Sequence, residues 1–92
     1  FDNILAYDPD NSAVYNNRGN IYFSQGDFER AIEDYSYAER LSGNDAGIKM
    51  NISMANYQLG NLQQASSKYR EASMIDASVD ERFGGYIKLL SN

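Results

Sequence analysis

Carboxylates, side-chain amides and a thioether strip are the groups in this sequence whose chemistry bears on function. Glu33 with Asp34 and Asp80 with Glu81 are adjacent carboxylates, the residue type used for general acid–base work. Neighbours in a helix point in different directions and do not converge on one atom, so both pairs read as solvated or capping groups. The chain has no His and no Cys, which removes an imidazole base, a thiolate nucleophile, a three-His metal site and a disulfide framework. No glycine-rich phosphate loop occurs, since Gly26 and Gly60 read as helix terminators and Gly84-Gly85 falls inside a helical pattern. No catalytic residue, cofactor or metal is therefore expected. Asn51-Ile52-Ser53 is a formal glycosylation sequon, but it falls within a predicted helix instead of an exposed loop.

The amides are more informative. Asn16, Asn17 and Asn20 crowd one helical segment, and Asn51 and Asn56 another, although each Asn is roughly half a kcal/mol worse than Ala in a helix. A side-chain amide carries both a donor and an acceptor, as an extended peptide backbone does. Asn17, Asn20 and Asn51 are thus candidates to hold a backbone; the alternative is that they bond across neighbouring helices or face water. Over residues 46–59, Ile48, Ile52, Ala55 and Leu59 form one apolar stripe, and Met50, Met54 and Tyr57 form a second. Either this helix packs on both sides, or the second stripe is an exposed recognition floor, a role that suits adaptable Met and amphipathic Tyr.

The elements that must position these residues repeat with a period of 34. Laying 12–45 over 46–79 without a gap pairs Asn17 with Asn51, Gly26 with Gly60, Ala31 with Ala65, Tyr35 with Tyr69, Ala38 with Ala72 and Leu41 with Ile75. Self-similarity at this spacing marks a stacked array in which each unit covers its neighbour's apolar face. Each unit reads as two helices. In the first, Val14, Arg18, Ile21, Tyr22 and Gln25 share a side before the turn Gln25-Gly26-Asp27, where Gly ends one helix and Asp27 caps the next. Phe28, Ala31, Ile32, Tyr35, Ala38 and Leu41 then follow at three- and four-residue steps. Gly60-Asn61 and the stripe Leu62, Ala65, Tyr69, Ala72 and Ile75 repeat that grammar. Tight loops make the paired helices antiparallel, with the small residues Gly19, Ala31 and Ala38 where two axes approach to roughly 8–10 Å.

This pattern closely resembles the tetratricopeptide repeat. Tyr15, Gly19, Tyr22, Ala31, Tyr35 and Ala38 stand where that motif expects an aromatic, Gly, Tyr, Ala, an aromatic and Ala. The second unit departs from it, with Lys49, Ser53 and Asn56 in place of Tyr15, Gly19 and Tyr22; Gly43 and Ala77 replace the usual terminal Pro. The resemblance implies an all-α fold of antiparallel helix-turn-helix repeats stacked as an α-α superhelix. It divides the chain into the end of a preceding repeat (1–11, closed by Asp8-Pro9), repeat 1 (12–45), repeat 2 (46–79) and a capping or next-repeat helix (80–92). Ser78-Val79-Asp80-Glu81 reads as a capping box for that last helix, with Phe83, Tyr86, Ile87 and Leu90 on its apolar side.

The resemblance also implies a concave groove lined by the first helix of each unit. Its matching positions here are Asn16, Asn17, Asn20, Phe23, Met50, Asn51, Met54 and Tyr57. Asn17 and Asn51 are similar to the asparagine ladder with which the repeat domain of O-GlcNAc transferases holds peptide backbones. Chaperone-binding members use a Lys and Arg clamp for a C-terminal carboxylate. Asn20 and Asn51 fit that clamp, but Asn16, Glu81 and Gly85 stand where bases are required, so no clamp is expected.

Composition agrees with a small interaction module. The net charge of −5 over 92 residues argues against nucleic acid, which clustered Lys and Arg bind. Residues 1–45 hold nine acids against three bases and residues 46–92 four against five; the acidic half offers steering of a basic partner, or else Glu29, Glu33, Asp34 and Glu39 are a solvated helix face. No apolar run reaches the roughly 20 residues of a membrane span, so no direct membrane insertion is expected. The expected function is non-catalytic binding of a protein or peptide segment. The alternatives are a substrate-recruiting or regulatory repeat domain of a larger enzyme, and self-association through exposed repeat ends at Phe1, Ile4 and Leu5.

Overall fold

The computed structural model describes residues 11–82 of the chain. Phe1, Ile4, Leu5, Asp8-Pro9 and the final stripe from Phe83 to Leu90 lie outside them. The described residues form α1 (Ser12–Ser24), α2 (Phe28–Ser42), α3 (Ala46–Gln58), α4 (Leu62–Ile75) and α5 (Ser78–Arg82), with no strand among them. The helix-repeat fold expected from sequence is the one found.

Local chemistry sets the boundaries. The side chains of Asn11, Asp27 and Asp45 accept from the amides of Ala13, Arg30 and Ile48, capping α1, α2 and α3. Both intra-unit turns close identically. The N–H of Gly26 donates to the Phe23 carbonyl at 3.0 Å and that of Asp27 to Tyr22 at 2.9 Å; 34 residues on, Gly60 donates to Tyr57 at 3.0 Å and Asn61 to Asn56 at 2.9 Å. This double closure needs a left-handed residue, supplied by Gly26 at φ 81° and Gly60 at φ 84°. One expected cap is replaced: the carboxylate of Asp76, not Ser78, caps α5, accepting from the Ser78 amide at 3.0 Å and its hydroxyl at 2.7 Å. Ser78 is itself the first residue of α5 and so does not occupy the N-cap position that a capping box requires.

Two apolar clusters hold the hairpins together. Ala31, Tyr35 and Ala38 of α2 pack with Ile48, Ile52 and Ala55 of α3, flanked by Tyr15, Tyr22, Phe23 and Ile32. Met50 of α3 packs with Tyr69 and Ala72 of α4 and Val79 of α5, with Ala46 and Met54 beside them. The middle helix α3 is therefore buried on two sides, because a second hairpin and the start of α5 both lean on it. Leu59, placed by its spacing on the buried stripe, is 38% exposed, since α3 has already ended at Gln58.

A polar layer joins the two units on the other side of α3. Lys49 Nζ donates to Glu39 at 2.6 Å and to Glu71 at 2.8 Å, and Lys68 Nζ donates to both Glu39 oxygens at 2.9 Å. Burial by itself would raise the Glu39 carboxyl and lower the Lys49 ammonium; the hydrogen bonds from Lys49 and Lys68 outweigh it for Glu39, and those from Glu39 and Glu71 outweigh it for Lys49. Glu39 accordingly titrates below, and Lys49 above, its ordinary value. Asp34 is buried too, held by Arg18 through Nε at 2.8 Å and Nη2 at 2.9 Å. Of the four acids read as a solvated face, only Glu29 and Glu33 are exposed; Asp34 and Glu39 have cations within reach on neighbouring helices and are drawn inward.

Candidate functional site

The first helices of the two units, α1 and α3, meet through a hydrogen bond from Asn51 Nδ2 to Asn16 Oδ1 at 2.9 Å. This pairing answers part of the amide puzzle, because some of the helix penalty of Asn is offset by a bond between units. Asn20 is likewise engaged: its Oδ1 accepts from the Tyr35 hydroxyl at 2.6 Å. Burial pushes that phenol up to about 12, so it is protonated and donating at neutral pH. Asn56 turns to its own helix and donates to the Ile52 carbonyl at 3.0 Å. Asn17 is exposed, with no side-chain hydrogen bond to another described residue.

Two depressions run along the face where α1 meets α3. The larger, about 390 Å³, is lined by Ser12, Ala13, Asn16, Asp45, Gly47, Ile48, Met50, Asn51 and Met54. The smaller, about 90 Å³, is lined by Asn20, Phe23, Tyr35, Asn51 and Met54. Asn51 and Met54 belong to both and form the saddle between them. The fold thus gathers Asn16, Asn20, Phe23, Met50, Asn51 and Met54 on one face, whereas Asn17 and Tyr57 line neither depression.

For Met50 the packing alternative holds and its place as a groove contact is corrected: it is 2% exposed and wedged among Tyr69, Ala72 and Val79. It supports the floor from beneath and has almost no surface to offer. Met54 is only partly buried, and Phe23 leans edge-on against Phe28 with ring centroids 5.0 Å apart, which fixes its orientation.

Sequence reasoning missed Asp45 and the pair Ala13 and Gly47. The signal was present in the register, since Ala13 and Gly47 stand one repeat apart and are both small, which opens the larger depression. Tyr35 was read as a packing residue only; its hydroxyl reaches the smaller depression because Gly19 lets the ring lie against α1. A Cβ on Gly19 would meet the Tyr35 ring at 2.7 Å.

No group of three or more metal-ligating side chains occurs among the described residues, and no described helix is long and apolar enough to cross a membrane. Among known proteins, residues 12–45 match the tetratricopeptide repeat family. No curated protein matches the chain. That match falls on the α1–α2 hairpin, which is a repeat of the tetratricopeptide type, and the same turn closure recurs 34 residues on in α3–α4.

Proposed function

We propose that the chain is a non-catalytic module that takes a peptide segment of a protein partner along the α1–α3 face. Tetratricopeptide repeats are in general protein–protein interaction modules. The observation that carries the finer reading is the pair of joined depressions on this face, in which pinned amides alternate with apolar side chains. Met54 and Phe23 supply apolar anchors, with Tyr57 at the margin. Asn16, Asn20 and Asn51 keep donor or acceptor capacity beyond the bonds they make, so they set the register of a bound backbone, and Asn17 extends the row into solvent. A short array offers a small area, so affinity is modest.

The test is a pull-down with the chain and with an Asn51→Ala, Met54→Glu variant of matched helicity. Loss of the same partner from the variant alone is the expected outcome. Equal recovery by both would refute this face as the binding surface.

Self-association is a second reading with its own observation. Met74 is 87% exposed beside Ile75 at a depression of about 330 Å³ that Asn44, Lys49 and Glu71 also line, an apolar patch with a polar margin that a second copy would cover. Sedimentation at rising concentration separates the two readings, because a groove binder stays monomeric.

A further inference from the structure

We infer that the segment bound on the α1–α3 face carries a basic side chain, seated in the larger depression with Asp45 as its counter-ion. The inference rests on the binding reading above and specifies the ligand's charge. Asp45 is the one charged residue lining that depression. Its Oδ1 is fixed by the Ile48 amide at 3.1 Å, so the carboxylate is held in place, and the residue is exposed.

None of the cations of the described residues lines that depression. Arg18 is tied to Asp34, and Lys49 and Lys68 to Glu39. Arg30, Arg40 and Arg70 belong to α2 and α4, the second helices of the units. Glu81, also exposed, falls at the register of Ala13 and Gly47 in α5 and adds a second carboxylate to the row. Among the described residues the depression is thus lined by an acid and no base, inside a chain of net charge −5.

Shape agrees with charge. The small residues Ala13 and Gly47 leave room for a long side chain, whose methylene stem would lie along Met54 while its head reaches the carboxylate. The first turns of α1 and α3 both line the depression, and each N-terminus opposes a cation with up to about half an elementary charge, which the carboxylates of Asp45 and Glu81 together outweigh. A peptide's acidic C-terminus meets repulsion on the same face, so this groove selects the opposite ligand charge from a carboxylate clamp.

The test uses the 92-residue chain and a displayed library of random dodecapeptides, followed by synthetic binders titrated at low and high salt. Asp45→Asn is the informative variant because Asn caps a helix as well as Asp does, and Glu81→Gln is its companion. Enrichment of Lys or Arg at one position, affinity falling with salt, and binding roughly threefold to fivefold weaker in Asp45→Asn are the expected results. Binders that are lost with Met54→Glu but show no basic enrichment, or bind Asp45→Asn undiminished, would overturn this inference and leave the groove standing. Failure to recover any binder sensitive to Met54→Glu would overturn both.

Discussion

The two units place different chemistry at equivalent positions. In the first, Tyr15 of α1 packs at a tilt against Tyr37 of α2 with ring centroids 4.3 Å apart. Thirty-four residues later the same two positions hold Lys49 and Glu71, joined at 2.8 Å. Gly19 in the first unit has no side chain and lies against the Tyr35 ring, with the Ala31 carbonyl 3.2 Å from where its Cβ would be. Its counterpart Ser53 fills that space with a hydroxyl that donates to the Ala65 carbonyl at 2.6 Å. The repeat thus preserves distances between helix axes and leaves the kind of contact free, provided each polar group finds a partner.

The comparison breaks most sharply at Gly19. Gly19→Val puts branched carbon into the Tyr35 ring and should lower stability by about 2–4 kcal/mol, read by urea unfolding followed by helicity. Ser53→Ala, in the roomier counterpart, should cost only about 1 kcal/mol for its lost hydrogen bond. Equal losses at both sites would contradict the account of the two positions.

Removing Lys49 comes next. Lys49→Met leaves Glu39 half-buried with Lys68 as its remaining partner, and a loss of about 1–3 kcal/mol is expected, below that for a fully orphaned buried charge. Acid should act on the same contact. Glu39 and Glu71 both titrate below their ordinary value of 4.5 in the folded chain, Glu71 chiefly through its hydrogen bond from Lys49. Their contribution is full above that value and is lost as pH falls through the lower folded values. Lys49 and Tyr35 are both raised in the folded chain, so their contributions are full below their unfolded values, 10.5 and 10.0, and fade as pH climbs through the folded ones, about 12 for Tyr35. Urea midpoints across pH should fall on both sides, and Lys49→Met should flatten the acid limb.

Tyr35→Phe should cost about 1 kcal/mol by cutting the bond to Asn20, with a larger relative effect on ligand binding than on folding. The last change grafts the first unit's contact into the second. Lys49→Tyr with Glu71→Tyr replaces that ion pair by apolar contact but also strips Lys49 from Glu39, so its cost should not exceed that of Lys49→Met. A large loss there would mean that the positions are not equivalent.

The helix pairs were legible because Gly26 and Gly60 carry unmistakable turn chemistry and because Ala31, Tyr35 and Ala38 recur as Ala65, Tyr69 and Ala72. The candidate face was legible as far as register alone decides it, as for Asn16, Asn51 and Met54. Met50 was not, since its burial depends on Tyr69 and Val79 arriving from later helices. The ion network was also hidden, because its bonds join residues 10, 22 and 29 apart, beyond any helical spacing. For the same reason Asp34 and Glu39 looked solvated: their partners sit on other helices.

Glu39 has a further consequence for how such a chain grows. It belongs to the first unit but grips two lysines of the second, and the first unit has Tyr15 and Asp34 at those two positions. A duplicate of unit one placed downstream of itself would set an aromatic and an acid against Glu39, a misfit of like charges. The first hairpin therefore carries an address for its successor, written into the seam between them.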